Sequence, residues 1–318
     1  MTKNAFSGNG WTADQLPDLS GKTYVITGGN SGIGFVASRL LAERGGRVIM
    51  ICRSEEKAKN AVADLNAGSH AVDAEFIQGD LADLSSVKNA ASQIRARCPS
   101  IDGLINNAGL MMIPKRTETK DGFETQFGVN HLGHFVLNAA LGDLVEKASG
   151  RFVSVASVAH KFAPGIRFSD VMFKDGYKPG RVYAQSKLAN LMYALELNRR
   201  LEGAGLKSRA FACHPGYSDT NLQVTGPGSI AAFFMRPLTM AFSQPAELGA
   251  LPTVLAAASD QAAPGGYYGP TGFMDMTGPV REARMTGAAK NEQAGAKLWD
   301  LSEELTGAKW SIFERAAA

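Results

Sequence analysis

"TYVITGGNSGIGFVASRLLAERGGRVIMIC", residues Thr23–Cys52, decides the fold. Two short β-rich runs, Thr23–Thr27 and Arg47–Cys52, flank a helical stretch from Gly32 to Arg44. Glycines stand directly after the first strand and at the opening of the helix: Gly28, then Gly32 and Gly34. Glycine permits a tight turn and close backbone approach, and a helix N-terminus offers free N–H groups to an anion such as a pyrophosphate. The first glycine gap is three residues, so the pattern is not the GxGxxG fingerprint, although the physics is shared. A helix-opening turn without a ligand reads the same way. The place of the turn after the first strand of a βαβ series favours a nucleotide site built from Gly28, Asn30, Ser31, Gly32, Ile33 and Gly34.

Outward from this unit the alternation continues. "AEFIQG", "DGLINNAG", "GRFVSVAS" and "SRAFACHPG" read as further strands, and Glu55–Asn66, Ser85–Arg97, Gly122–Val145 and Arg181–Leu201 as helices. Near-continuous apolar strands separated by helices imply a parallel sheet covered on both faces, and right-handed crossovers then give a doubly wound α/β, Rossmann-type fold. No linker or fixed-period repeat divides the chain. Residues 1–318 therefore read as one domain with an N-terminal arm (1–20), a substrate lid (217–244) and a C-terminal extension (260–318). Irregular additions fall near 158–180, 217–244 and 260–290, where Gly- and Pro-rich runs such as "APGGYYGPTG" read as loops.

The bulk composition narrows the function classes. Of 318 residues, 45% are hydrophobic and 20% charged, and the formal charge is +3. These are the values of an ordinary globular protein, and without a block of like charge no nucleic-acid partner is implied. Cys52, Cys98 and Cys213 form no CxxC pair, so reduced thiols in a cytoplasmic compartment are expected. The start lacks a signal-peptide h-region, and no run reaches the roughly eighteen apolar residues of a membrane span. His131 and His134 are three apart with no third ligand suggested, so no metal is expected.

The end of the second strand bears on the cofactor. NAD sites place an acidic residue there to accept from the ribose hydroxyls. Here the strand ends "ICRSEEK", with Cys52 and Arg53 in that place and Lys57 one turn on. A guanidinium forks onto a 2′-phosphate, so NADP(H) is the expected cofactor.

In "RVYAQSKLANLMYALELNRRL" (Arg181–Leu201), Tyr183 and Lys187 share one face of an amphipathic helix. The pair alone means little. With Thr27-Gly28-x3-Gly32-x-Gly34, Asp80, "NNAG" (Asn106–Gly109), Asn130 in "NHLGH", Ser157 in "VASVAH" and "HPG" (His214–Gly216), in this order, the chain resembles the short-chain dehydrogenases/reductases from Thr23 to about Leu305. "VIMICR", "NHLGHF", "SKLANL" and "LWDLSEELTG" carry a narrower likeness to the retinol-dehydrogenase-like and protochlorophyllide-reductase-like branch. The light-dependent protochlorophyllide reductases fit less well. They commonly have threonine at the Ser157 position and cysteine at Ala189.

The resemblance implies an NADP-dependent alcohol dehydrogenase or carbonyl reductase with Asn130, Ser157, Tyr183 and Lys187 as its catalytic set. Tyr183 is the implied general acid/base, drawn toward phenolate by Lys187; Ser157 polarises the substrate oxygen; Lys187 also holds the nicotinamide ribose. Asn130 positions a water in a proton relay, or its side chain pairs with backbone at a helix kink. Asp80 and Leu81 are expected to hold the adenine, Asn107, Ala108 and Gly109 to pack on the adenine side, and Pro215, Gly216 and Thr220 to border the carboxamide. A homo-oligomer, dimer or tetramer, on helices 122–145 and 181–201 is also implied.

Two other classes compete. A nucleotide-binding sensor or scaffold would need no proton donor, which the four residues argue against. A membrane-surface protein is suggested by "IAAFFMRPLTMAF" (Ile230–Phe242), but Arg236 and Pro237 interrupt that run. Phe162, Ile166, Phe168, Met172 and Phe173 after Ser157, with Leu222, Phe233, Phe234, Met235 and Met240, point to an apolar pocket for a hydrophobic alcohol, ketone or aldehyde, unless they only fill a core beneath the loops.

Overall fold

A computed structural model describes residues 6, 8–67, 72–217 and 244–316. Eight strands form one sheet in the order β3-β2-β1-β4-β5-β6-β7-β8. In chain order they are β1 (Thr23–Thr27), β2 (Arg47–Cys52), β3 (Ala74–Gln78), β4 (Gly103–Asn106), β5 (Arg151–Val155), β6 (Arg209–Cys213), β7 (Tyr267–Pro270) and β8 (Val280–Glu282). The first seven run parallel, and β8 pairs antiparallel to β7. The order reverses between β1 and β4, which opens a crevice at their carboxyl ends.

Side chains alternate across the sheet as strand geometry requires. Val25, Ile49 and Leu104 face one core together with α3 (Leu84–Arg97), α4 (Gly133–Lys147) and α5 (Pro179–Gly203). Tyr24, Ile26, Val48 and Met50 face the other with α1 (Gly32–Glu43), α2 (Glu55–Asn66) and α6 (Ala246–Ala258). Local chemistry sets the helix starts. Asp83 caps α3 by accepting from Ser85 and Ser86 N–H, and Ser54 caps α2 by accepting from Lys57 N–H.

The structure departs from the sequence reading in two places. The expected helix over 122–145 is broken: a single turn at Thr125–Phe127 leads into a π-helical turn, Gly128–Leu132, before α4 begins. The region read as loop near 260–290 supplies β7 and β8, because "YYGP" extends the ladder beside β6 despite its flanking glycines and proline. The N-terminal arm is packed. Trp11, 1% exposed, bridges to Val280 and donates its indole N–H to Ser259 Oγ at 3.1 Å.

The C-terminal extension folds as α7 (Glu292–Thr306) and α8 (Ser311–Ala316). Phe135, Tyr193, Trp299, Trp310 and Phe313 form an aromatic seam that packs this extension against α4 and α5. No helix among the described residues is long and apolar enough to cross a membrane.

Candidate active site

The glycine turn is tight enough to exclude side chains. A Cβ at Gly34 would lie 2.3 Å from the Gly28 carbonyl oxygen, and Gly28 itself has φ +67°, the left-handed region glycine favours. Asn107 closes the turn: its Nδ2 donates to the Thr27 carbonyl at 2.9 Å, and Asn107 and Ala108 N–H both donate to Thr27 Oγ1 at 3.0 Å. Ser31 stands at the N-cap of α1 with no capping hydrogen bond from its side chain, and Asn30 and Gly32 flank it. Ile33 turns inward, 8% exposed. This cradle fits a dinucleotide pyrophosphate at the start of α1.

At the end of β2, Arg53 is exposed and makes no ion pair with any described residue. Asn30, Ser31, Phe35, Lys57, Asn60, Ala61 and Asp64 line a surface groove. Asp80 turns its carboxylate back on its own loop, accepting from Ala82 N–H at 2.9 Å, while Leu81 is buried under the crevice. Gly216, with φ +70°, packs so closely on Met276 that a Cβ would sit 2.2 Å from its carbonyl oxygen, and Pro215 O accepts from Gln244 at 2.7 Å. Thr220, the lid 217–244 beyond Tyr217 and short of Gln244, and the apolar residues Leu222 to Met240 lie outside the described residues.

The four catalytic candidates converge at the carboxyl ends of β4 and β5. Ser157 ends the segment after β5 and stands near enough to the Tyr183 phenol to hold its pKa down against burial. Lys187, 5% exposed, places its Nζ 5.9 Å from the Tyr183 ring centroid and donates to the Val155 carbonyl at 3.0 Å. Burial lowers Lys187 to about 8 and raises Tyr183, with Ser157 opposing the rise. Lys187 addresses a backbone carbonyl rather than the phenolic oxygen, and desolvation governs both groups.

Asn130 follows the kink reading. Its Oδ1 accepts from Leu110 N–H at 2.7 Å, and its Nδ2 donates to Leu110 O and to Ser186 Oγ, each at 2.9 Å. Ser186 in turn donates to the Tyr183 carbonyl at 2.8 Å, so the π turn is fastened to the catalytic turn of α5. Gly109 leaves the space between them. A Cβ there would stand 3.2 Å from Asn130 Oδ1 and 3.3 Å from Lys187 Nζ.

Sequence reasoning missed the histidines as structural parts. His134 lies with Nδ1 3.0 Å from the Asn130 carbonyl and Nε2 2.8 Å from Thr27 Oγ1. A carbonyl only accepts, so Nδ1 carries the proton and Nε2 accepts from the Thr27 hydroxyl. That hydroxyl then accepts from Asn107 and Ala108, and the bookkeeping closes with a neutral imidazole, its titration pushed down to about 4 by burial. His134 thus joins the cofactor cradle to the π turn, and His131 binds Ser302 of α7 at 2.8 Å. The spacing from Asn130 to His134 is the signal that places them together. The apolar set after Ser157 also divides. Ile166, Met172 and Phe173 are buried beneath the loop, and Phe168 packs against that core. Phe162 is 76% exposed.

With the site described, the comparisons with known proteins fall into place. The family model described as short chain dehydrogenase matches residues 22–226. Mouse retinol dehydrogenase 14 is 37% identical over 305 residues, covering 91% of this chain and 87% of its own. Human retinol dehydrogenase 13 is 38% identical over 297 residues, covering 91% and 86%. The crystal structure of an uncharacterised protein from Mycobacterium paratuberculosis superposes with a TM-score of 0.78 at 39% identity, over 95% of this chain and 99% of that one. The chain belongs to the short-chain dehydrogenase/reductase family, as an oxidoreductase of its retinol-dehydrogenase-like branch.

Proposed function

We propose that the protein transfers a hydride between NADP(H) and a bulky, largely apolar alcohol or carbonyl compound, with Tyr183 as general acid/base. The observation that carries this reading is the placing of Ser157 against the Tyr183 phenol, with Lys187 Nζ 5.9 Å from the same ring and one helical turn away. When bound, the cofactor would supply hydride to a carbonyl compound or accept it from an alcohol. This chain's own part is to present the Tyr183 proton at the substrate oxygen, polarise that oxygen through Ser157, and hold the nicotinamide ribose with Lys187.

NADP(H) over NAD(H) is supported by Arg53 at the end of β2, where no carboxylate stands, and by Lys57, which lines one groove with Ser31. An apolar substrate is supported by the exposed Phe162, Tyr217, Phe273 and Met274. Their loops are tied together by the Lys161–Asp275 pair and by Tyr217 N–H donating to Met276 O. Met112, 44% exposed, adds to this rim within 3.7 Å of the Cβ position at Gly180, three residues before Tyr183. The names of the retinol dehydrogenase relatives agree with such a substrate.

The test is NADPH oxidation with a panel of retinoids, steroid ketones, aromatic ketones, lipid-derived aldehydes and small polar carbonyls. Bulky apolar members are expected to lead in kcat/KM. A lead by small polar ones overturns the substrate class, and no turnover of any member overturns the enzymatic reading.

A further inference from the structure

His160 sits in the helical turn Val158–Phe162 that follows the catalytic serine, with none of its surface exposed. Its backbone N–H donates to the Ser157 carbonyl at 3.0 Å, and its Nδ1 lies 2.7 Å from the same oxygen. That oxygen only accepts, so Nδ1 bears the proton and both bonds run from His160 to Ser157. Nε2 is then an acceptor, buried with no partner among the described residues.

Two further contacts hold the ring. Tyr267 of β7 meets it edge-on with centroids 5.6 Å apart, and the Tyr267 hydroxyl stands 3.4 Å from Nδ1. The next residue, Lys161, pairs with Asp275 in the loop after β7. Consecutive residues thus tie the turn behind Ser157 to a strand two places away in the sheet.

Packing alone does not call for an imidazole here. An apolar side chain would fill the space and leave no buried nitrogen unpaired. What the imidazole adds is one N–H directed at the Ser157 carbonyl.

We propose that His160 is a positioning residue for the reaction: it clamps the Ser157 carbonyl from two sides, with Tyr267 as abutment, and so fixes the Ser157 hydroxyl against Tyr183. This rests on the reading of Ser157 and Tyr183 as catalytic groups. A small displacement of a reacting group is enough to slow turnover by about ten- to a hundredfold.

The experiment compares His160→Leu, His160→Asn and His160→Gln, alone and with Ser157→Ala. It uses NADPH and the carbonyl compound of the panel above that turns over fastest. His160→Leu is expected to lower kcat by about tenfold or more, with NADPH affinity, read by nicotinamide fluorescence, within about twofold of wild type. The asparagine amide stands where Nδ1 stands and is expected to recover kcat to within about threefold. Glutamine, which places its amide near Nε2 instead, is expected to behave as leucine does. In the Ser157→Ala background, His160→Leu is expected to cost nothing further, because its route through Ser157 is already cut.

Full kcat in His160→Leu, an equal loss in both backgrounds, or equal kcat for asparagine and glutamine each overturns the proposal. The last comparison decides the matter if the leucine variant does not fold. Undiminished activity in Ser157→Ala alone overturns the catalytic reading itself and the clamp with it. Loss in Ser157→Ala beside full activity in His160→Leu overturns only the clamp.

Discussion

Lys187 pays in stability for its place beside Tyr183, and Lys187→Met should expose the amount. A buried lysine that titrates at about 8 rather than 10.5 carries, at neutral pH, a penalty of about 3 kcal/mol relative to a side chain with no charge. Methionine keeps the stem and loses the amine. The Val155 carbonyl is not orphaned by the change, because Asn190 Nδ2 also donates to it at 3.2 Å, so the lost bond costs about 1 kcal/mol. The variant should therefore be more stable than wild type by about 2 kcal/mol at pH 7, while losing activity.

The pH dependence fixes the cause. Between pH 8 and 10.5 the unfolded lysine holds a proton that the folded one has released, so wild-type stability rises with pH across that window. Lys187→Met has no such term. Its lead should shrink to nearly nothing by about pH 9.5, at roughly 1.4 kcal/mol per pH unit. Urea unfolding of the cofactor-free proteins at pH 7 and pH 9.5, followed by tryptophan fluorescence, measures both differences. A lead that does not change with pH, or a variant less stable than wild type at pH 7, refutes the reasoning.

Tyr183→Phe should lower kcat by about two to four decades and leave NADPH affinity within about threefold, since only the transferable proton is lost; titrations of both proteins with NADPH check the second half. Arg53→Asp should turn a preference for NADPH into one for NADH, a swing of one to two decades in affinity from loss of a forked phosphate contact. Equal wild-type affinity for the two cofactors would remove its basis. Trp310→Ala should cost about 3–5 kcal/mol, because the indole is 3% exposed at the centre of the aromatic seam. At about 0.7 kcal/mol per degree for a chain of this length, calorimetry should find Tm lower by about 6 °C.

The parts of the site written locally were legible in the sequence. The Gly28–Gly34 turn, the strands that end at Asn106 and Val155, and the Tyr183–Lys187 spacing each follow from residues within one turn or strand of each other. What escaped depends on partners far along the chain. The π turn at Gly128–Leu132 inserts its extra backbone unit without any change in composition, and its purpose appears only when Asn130 meets Leu110 and Ser186. The sequence leaves His160 between the substrate mouth and a packing or surface role, and gives His134 no partner, until Ser157 O and Thr27 Oγ1 are placed against them. Apolar content near Ser157 was plain, yet nothing in it says that Ile166 and Met172 turn into the core while Phe162 turns out. β7 was hidden because glycine and proline near "YYGP" signal a turn when its neighbour β6 is not in view.

The packing of Trp11 also sets an order of events during synthesis. Trp11 precedes Ser259 by 248 positions, yet its backbone N–H donates to Val280 O at 2.9 Å and its indole N–H to Ser259 Oγ. At ribosomal rates the indole waits on the order of tens of seconds for its pocket. Asn130, Ser157, Tyr183 and Lys187 are already on the chain by then. The molecule thus holds these residues before it can close its fold, and closure waits for Ser259 and Val280. A nascent chain arrested near residue 255 is expected to yield to protease at the Trp11 segment, while the released protein resists; equal resistance of the two would show that the sheet closes without its final strands.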